Sequence, residues 1–495
     1  MLSLLVFLPL LVALILAVAP VPTPVVRWTW LGATLVDVGL VIVLWVGYQS
    51  PPAGQLAFAE RIAWIPDAGT AYAVGVDGLS LPLLALTTVI FAACAAASPR
   101  TTPRPRSYAA LFLFLEASCL GVFAAQDLIV FFVFFDLSIV GMYFVIAGWG
   151  HAGAARSALK FFLYTFVGSI ALLLGFIGLF AGSSPHTFDM AAIAAAPPLQ
   201  DRPVAGGLVL AAILIGLAIK TPTVPFHTWL PPAHTDASAT GSAVLAGVLL
   251  KMGTYGFLRI AMPMLPAAWR SWSWFILVVG LVSVLYGALV ALGQTDFKRM
   301  LAYTSVNHMG YVVVAVGAAG LSSASNEQAG QIAVTGAVVQ MVSHGLITGA
   351  LFLLAGPMWE RTHTYRMDAY GGLAGPAPRF TGLLAVGAFA SLGLPAFSGF
   401  IAEFQIFAGS IAVSPVAAVA LPGIVLTSAL WLRALQRVAL GETRGESTGF
   451  ADLTVSELLP IGVLLGLSLI LGIAPGVLQD VVVPASDSVV RAVLR

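Results

Sequence analysis

Seven ionisable side chains stand in stretches otherwise built from Ala, Val, Leu, Phe and Gly: Glu116, Asp136, Lys220, Lys251, His308, His344 and Glu403. A charged group at the centre of a bilayer costs roughly 2.5–3.5 kcal/mol on insertion scales, so such residues face a bundle interior, a partner charge or water. Any one of them could be a paired charge that glues two helices, but a series spread over both halves of the chain marks a path. The chemistry these types share is stepwise proton transfer. A buried lysine is pulled away from its ordinary value by desolvation and back toward it by a nearby carboxylate, so shifting one charge switches its protonation. Glu116 and Asp136 are the acids best placed in the sequence to serve Lys220 in this way. His308 and His344 carry rings that ordinarily titrate near neutral pH, as a relay between more strongly biased groups requires. The structural alternative for either ring is a bond to a backbone carbonyl.

The elements that must position these groups are membrane helices. Of 495 residues, 59% are hydrophobic and 9% charged, with a net charge of +1. Soluble domains are about 25% charged, and here the apolar residues come in long runs instead of amphipathic stripes. A span needs roughly 20 apolar residues, so the length accommodates about fourteen and leaves no room for a separate soluble domain. Apolar windows bounded by Pro, Gly and charge fall near 1–19, 30–48, 76–98, 108–123, 127–147, 160–182 and 205–223. The second half continues near 240–262, 273–292, 301–320, 332–355, 380–408, 416–437 and 457–475. The first run, 2–19, has no basic residue before it and is expected to be a retained span, not a cleaved signal. Cys94 and Cys119 both lie in apolar runs without metal-type spacing, so neither a disulfide framework nor an iron–sulfur site is expected. A nucleic-acid partner is excluded by the charge balance.

Basic residues orient the chain, because cytoplasmic loops retain Lys and Arg. One side collects Arg27, Arg100, Arg104, Arg106, Arg156, Lys160, Lys298, Arg299, Arg361, Arg366, Arg379, Arg433, Arg437 and Arg444. The other has Arg61, Arg202, Arg270, Arg491 and Arg495. Both termini are therefore expected on the non-cytoplasmic side. Lys220, Lys251 and Arg259 fall inside or at the end of spans and belong to no loop.

Two spans carry their own interruptions. After Lys220, Pro222, Pro225, Pro231 and Pro232 remove backbone donors and break helical geometry. Pro395 and Gly399 do the same shortly before Glu403. Paired interruptions in two halves point to inverted repeats, in which unwound backbone lines a cavity instead of facing lipid. The expected fold is all-α: helices 1–3 in 1–107, a first repeat of helices 4–8 in 108–262, an inverted second repeat of helices 9–13 in 263–437, and helix 14 with a tail in 438–495. Helices 7 and 12 are the broken ones. His227, His234 and Asp236 follow the first break without the spacing of a helical metal face, so a structural or water-contacting role is expected of them. The polar segment 360–379 is the expected docking surface on the cytoplasmic side.

Several phrases resemble a known family. LAIKTPTVPFHTWLPPAHTDASATGSAVLAGVLLKMGTYGFLR and QTDFKRMLAYTSVNHMGYV are similar to the antiporter-like membrane subunits of respiratory complex I, nearest to the M-type (chain 4) branch. FVFFDLSIVGMYFVIAGWG, VVQMVSHGLITGALFLLAGPMWERTHTYRMDAYGGL, LPAFSGFIAEFQIF and FADLTVSELLP extend the likeness through nearly the whole chain. The resemblance implies a fourteen-helix fold with two inverted five-helix repeats and proton translocation coupled to electron transfer elsewhere. It places the family's central lysine at Lys220, the next relay lysine at Lys251, the histidines at His308 and His344 and the terminal acid at Glu403. Two positions depart from the family pattern: the fifth-helix glutamate is Asp136, and the acid expected after WLP is Pro232. Asp136 keeps the charge with a shorter reach, and Glu116 one helix earlier could compensate.

The same resemblance implies that NADH, FMN, iron–sulfur clusters and quinone belong to other subunits, with no cofactor or metal in this chain. Its partners would be neighbouring antiporter-like and other membrane subunits, in a bacterial plasma membrane. Three further readings stand beside it: a subunit of a multisubunit Na⁺(K⁺)/H⁺ antiporter, the membrane subunit of an energy-converting hydrogenase, and a scaffold that has lost pumping through the change to Asp136. Glu403 and the 360–379 segment argue against the antiporter.

Overall fold

The computed structural model describes residues 1–52, 55–99 and 102–494; Arg100 and Arg495, used above to orient the chain, lie outside them. Two helices, α1 (Leu2–Val18) and α2 (Thr23–Gly47), lead into an antiparallel hairpin of β1 (Ala57–Ile65) and β2 (Thr70–Val76). Then come α3 (Ser80–Ala97), α4 (Pro105–Ala124), α5 (Leu128–Trp149) and α6 (Ala154–Gly182). The seventh span is in two pieces, α7 (Pro203–Lys220) and α8 (Leu230–Asp236). It is followed by α9 (Ala239–Met264), α10 (Pro266–Leu292), α11 (Phe297–Gly320) and α12 (Glu327–Thr362). The twelfth span is also in two pieces, α13 (Pro378–Ser391) and α14 (Ser398–Val413). The chain closes with α15 (Pro415–Val438), α16 (Val455–Ile473) and α17 (Gly476–Leu494).

Among the described residues, eleven helices are long and apolar enough to cross a bilayer, and α1 and α14 are apolar but shorter. The all-helical reading with both interruptions agrees with this architecture. It missed two elements. The hairpin falls between the second and third expected spans, in 57–76, and is anchored by Asp127: its carboxylate caps α5 at Ile129 N and Val130 N, and also accepts from Thr70 Oγ1 and Ala71 N. The expected C-terminal tail contains α17, whose Leu478, Val481, Val482, Ser486, Val489, Val490 and Val493 are buried along one helical face while Arg491 pairs with Glu327 at 3.0 Å. Asp480, Asp487 and Arg491 dilute its hydropathy below that of a span.

The two interruptions have a common construction. At the first, Trp229 Nε1 reaches back to Ile219 O at 3.0 Å and Val224 N donates to Ser283 Oγ at 3.0 Å, so the unwound backbone keeps partners despite its prolines. Gly253 of α9 presses on it so closely that a Cβ there would lie 2.7 Å from Leu217 O and 2.8 Å from Thr221 N. At the second, Gly472 of α16 leaves no room for a Cβ beside Ala396 O, at 2.2 Å. α9 and α12 lie innermost: their most apolar windows are 94% and 100% buried, against 28% for α2 and for α16. Outward faces such as Val46, Leu208 and Val425 are apolar and exposed, as a lipid-facing surface is.

Candidate functional site

Lys220 ends α7 at the lip of the first break, almost fully enclosed. Its Nζ donates to Ser138 Oγ at 3.1 Å and lies 4.7 Å from the centre of the Phe135 ring. Ser138 and Asp136 both belong to α5, but they do different work. Asp136 accepts a hydrogen bond from Ser169 of α6 and acts on Lys220 through its field. The shortened acid is therefore held by a hydroxyl on the next helix, while a second hydroxyl holds the lysine. Ser138 is also 3.5 Å from Met252 Sδ, which brings the Lys220 cluster against α9 beside Lys251.

Lys251 begins a buried row of ionisable side chains, in which neither nitrogen of His308 has a hydrogen-bond partner among the described residues. Two π-helical stretches, Leu245–Leu249 and Phe257–Ala261, flank the Lys251 segment of α9. Such bulges displace the helical face by one residue and expose carbonyls, here including Ala246 O, to which Lys251 Nζ donates. On its other side Lys251 Nζ is 2.7 Å from His344 Nδ1 of α12, 93 residues away in sequence. His344 Nε2 lies 3.1 Å from Ser305 Oγ of α11, and its ring centre is 5.4 Å from that of His308. His308 Nε2 in turn is 3.9 Å from Glu403 Oε1 of α14. A small cavity of ≈ 10 Å³ lies among His308, His344, Ser343, Gln340, Ser391 and Glu403, enough for one water-sized occupant. Four of the seven residues singled out in the sequence thus form one line from α9 to the second break, and Lys220 with Asp136 sits at its near end.

Glu116 stands apart. It is fully buried on α4, and neither of its oxygens has a hydrogen-bond partner among the described residues. The charge acting on it is Asp37 of α2, equally buried and equally unpartnered, a residue the sequence reading passed over in a run of Leu and Val. Arg259, the remaining cation without a loop, is structural: its guanidinium pairs with Asp77 at 2.5 Å and meets Tyr255 Oη at 2.9 Å, tying the end of the hairpin to α9. Lys298 corrects the loop assignment made from charge. It lies in the first turn of α11, fully buried, donating to Ala237 O at 2.6 Å. Much of the 360–379 segment packs on the chain itself, with Arg361 bidentate to Glu457 at 2.9 Å and Tyr370 enclosed; Arg366 and Asp368 remain outside. Among the described residues no three His, Cys, Asp or Glu side chains are grouped to hold a metal ion. The serines at 138, 169 and 305 were missed because an isolated hydroxyl in an apolar run carries no signal.

Two interrupted spans around a buried line of Lys, His and Glu define an antiporter-like membrane protein. The family model for NADH:quinone oxidoreductase/Mrp antiporter transmembrane proteins matches residues 125–430, and the chain belongs to that family. It is 37% identical over 513 residues to NADH-quinone oxidoreductase subunit M of Rhodobacter capsulatus, covering 99% of this chain and 96% of that protein. It is 42% identical over 405 residues to an NAD(P)H-quinone oxidoreductase chain 4 of Picosynechococcus, covering 81% of this chain and 73% of the other. Among solved structures, a chain of respiratory complex I from Thermus thermophilus with bound NADH superposes with a TM-score of 0.89 at 30% identity, both chains covered completely.

Proposed function

We propose that this chain is the M-type membrane subunit of a proton-translocating NADH:quinone oxidoreductase. It moves H⁺ along its buried side chains while electron transfer proceeds in other subunits. The observation that carries this reading is the buried line Lys251, His344, His308, Glu403, in a chain that matches subunit M over nearly its whole length. Asp136 sets the field at Lys220; loss or gain of that charge changes the proton affinity of Lys220, which passes the change to Lys251 and onward. NADH, FMN, iron–sulfur clusters and quinone are assigned to partner subunits, and Glu116 to the side of the main line.

The repeats 108–262 and 263–437 are supported by matching parts. Asp127 caps α5 and Asp296 caps α11, each just after a tight turn from the preceding helix, and each repeat has one interrupted span. The distribution of Lys and Arg supports a reading with both termini on the non-cytoplasmic side of a bacterial plasma membrane.

The test replaces Lys220 by Ala and follows NADH-driven proton uptake into membrane vesicles, NADH:quinone turnover, and assembly on a native gel. Loss of pumping with assembly intact is expected. Unchanged pumping would make the chain a scaffold, and no NADH-driven signal even in the parent would favour the cation/proton antiporter.

A further inference from the structure

The last step of the buried line is the one its side chains do not close by themselves. His308 Nε2 and Glu403 Oε1 stand 3.9 Å apart, longer than a hydrogen bond. The carboxylate is held in that position. Its Oε2 packs on Gly393 of the second break, where a Cβ would lie 2.8 Å from that oxygen, and Oε1 is the atom nearest His308. On the other side of the gap, neither nitrogen of His308 has a hydrogen-bond partner among the described residues. Polar groups at this separation are commonly bridged by water, and the ≈ 10 Å³ cavity that both residues line has room for one.

A water carries a proton onward only when it is oriented, with a lone pair toward the donor and a hydrogen toward the acceptor. The wall that can orient it is α12, where Gln340, Ser343 and His344 stand at i, i+3 and i+4 on one helical face and all line the cavity. Gln340 is 2% exposed, and its Oε1 has no hydrogen-bond partner among the described residues. Buried polar atoms are nearly always partnered, so this carbonyl calls for an explanation. Packing alone would be served as well by Met, which has about the same length and no amide to desolvate. Ser343 Oγ accepts from Ser398 Oγ at 2.8 Å, and Ser398 Oγ is also 2.8 Å from Ser468 Oγ of α16. The Ser343 hydroxyl proton is therefore still to be given. One acceptor and one donor stand unspent on the same wall of the cavity.

We propose that Gln340 is a positioning residue for the step between His308 and Glu403, holding the one water that joins them. The inference rests on the proton-relay reading given above. The water gives one hydrogen to Gln340 Oε1 and accepts from the Ser343 hydroxyl, which leaves its other hydrogen for Glu403 Oε1 and its second lone pair for His308 Nε2. In the transfer, protonated His308 gives its Nε2 proton to the water oxygen, and the water passes the hydrogen facing Glu403 to the carboxylate. One N–H and one water O–H bond break, while one water O–H and one carboxyl O–H bond form. His308 ends neutral, Glu403 ends protonated and the water is regenerated, with no other reactant. Gln340 acts on the proton without carrying it, by fixing which hydrogen of the water lies on the line.

The decisive pair of variants is Gln340→Met, which keeps the bulk and removes the accepting oxygen, and Gln340→Glu, which keeps that oxygen. Lys220→Ala is measured beside them. NADH-driven proton uptake, NADH:quinone turnover and assembly are read for each in native membranes. Uptake is expected to fall about tenfold or more in Gln340→Met with assembly intact, the scale of misplacing a reacting group, and to recover in Gln340→Glu to within about threefold of the parent. A packing role predicts the opposite order, because Met is harmless in an apolar interior and a carboxyl group is not. Uptake in Gln340→Glu no better than in Gln340→Met therefore overturns the proposal. If Lys220→Ala stops pumping while Gln340→Met pumps at the parental rate, the positioning role is overturned and the relay stands. If Lys220→Ala also pumps normally, the relay reading itself has failed. Should Gln340→Met not assemble, Ala390→Val decides in its place by filling the same cavity from α13: a comparable fall in uptake supports the bridging water, and unchanged uptake overturns it.

Discussion

The residues of the proposed relay are held by partners of three kinds: hydroxyls, a backbone carbonyl and one another. Lys251 illustrates the consequence, because its neighbours are a carbonyl oxygen and a histidine, not a carboxylate. A buried cation without an opposite charge contributes little to stability, and replacing it by an apolar side chain is often neutral or stabilising. Lys251→Met is therefore expected to leave the melting temperature of the purified complex unchanged or raised while NADH-driven proton uptake falls about tenfold or more. A lowered melting temperature would instead make Lys251 a structural cation. His151 gives a prediction in pH. Its imidazole, between α5 and α6, is pushed down from 6.5 to about 4 by partial burial first and then by the fields of Lys298 and His363. Unfolded or opened chain takes up the proton near 6.5 and the folded loop only near 4. Stability of this loop is accordingly full above pH 6.5 and declines as pH falls toward 4. Protection factors at residues 148–153, taken relative to intrinsic exchange at each pH, should fall between pH 7 and pH 5, and His151→Phe should remove that dependence.

At the scale of elements, both interruptions are kept in place by a glycine on a neighbouring helix. Gly253→Ala would force its new methyl against Leu217 O and Thr221 N, which are backbone and cannot swing away. Overpacking of this kind costs about 1–3 kcal/mol. It should lower the thermal stability of the complex and shift Lys220 relative to Ser138, so proton uptake per NADH falls even though no titratable group has changed. The hairpin has its own anchor in the pair of Arg259 with Asp77. Arg259→Met leaves a mostly enclosed carboxylate without its cation, at a cost of about 1.5–3 kcal/mol, and the double variant with Asp77→Asn should recover part of that loss in the same thermal assay. The sequence signalled the interruptions clearly because Pro and Gly act locally. It did not signal the hairpin or α17, whose apolar residues are too few or too diluted by charge to stand out in a window sized for a span.

The whole molecule is two interrupted spans facing a shared interior, with a lipid-facing exterior of apolar side chains. Its orientation rests on charge and is open to a direct check. Single cysteines at exposed positions, Glu446→Cys on one side and Asp67→Cys on the other, should react with a membrane-impermeant maleimide from opposite sides of the membrane. Glu446→Cys is expected to label only in inverted vesicles and Asp67→Cys only in intact cells. The native Cys94 and Cys119 are buried, so neither competes for the reagent. Labelling in the reverse sense would turn the chain over.

What this sequence determines by itself is set by local chemistry: long apolar runs demand lipid, prolines and glycines interrupt two spans, and a handful of charges in those runs name the candidate relay. Which of those charges meet was decided by the tertiary structure. Helices α4, α5 and α12 carry no clear apolar stripe, so nothing along them tells which face turns inward, and periodicity cannot say that Lys251 meets His344. Lys298 shows the limit most plainly. In sequence it lies beside Arg299 in a basic loop, yet its helix begins one residue earlier and turns it into the protein while Arg299 stays outside. A rotation of about 100° per residue separates the two, and only the packing of the bundle determines which side of that rotation is buried.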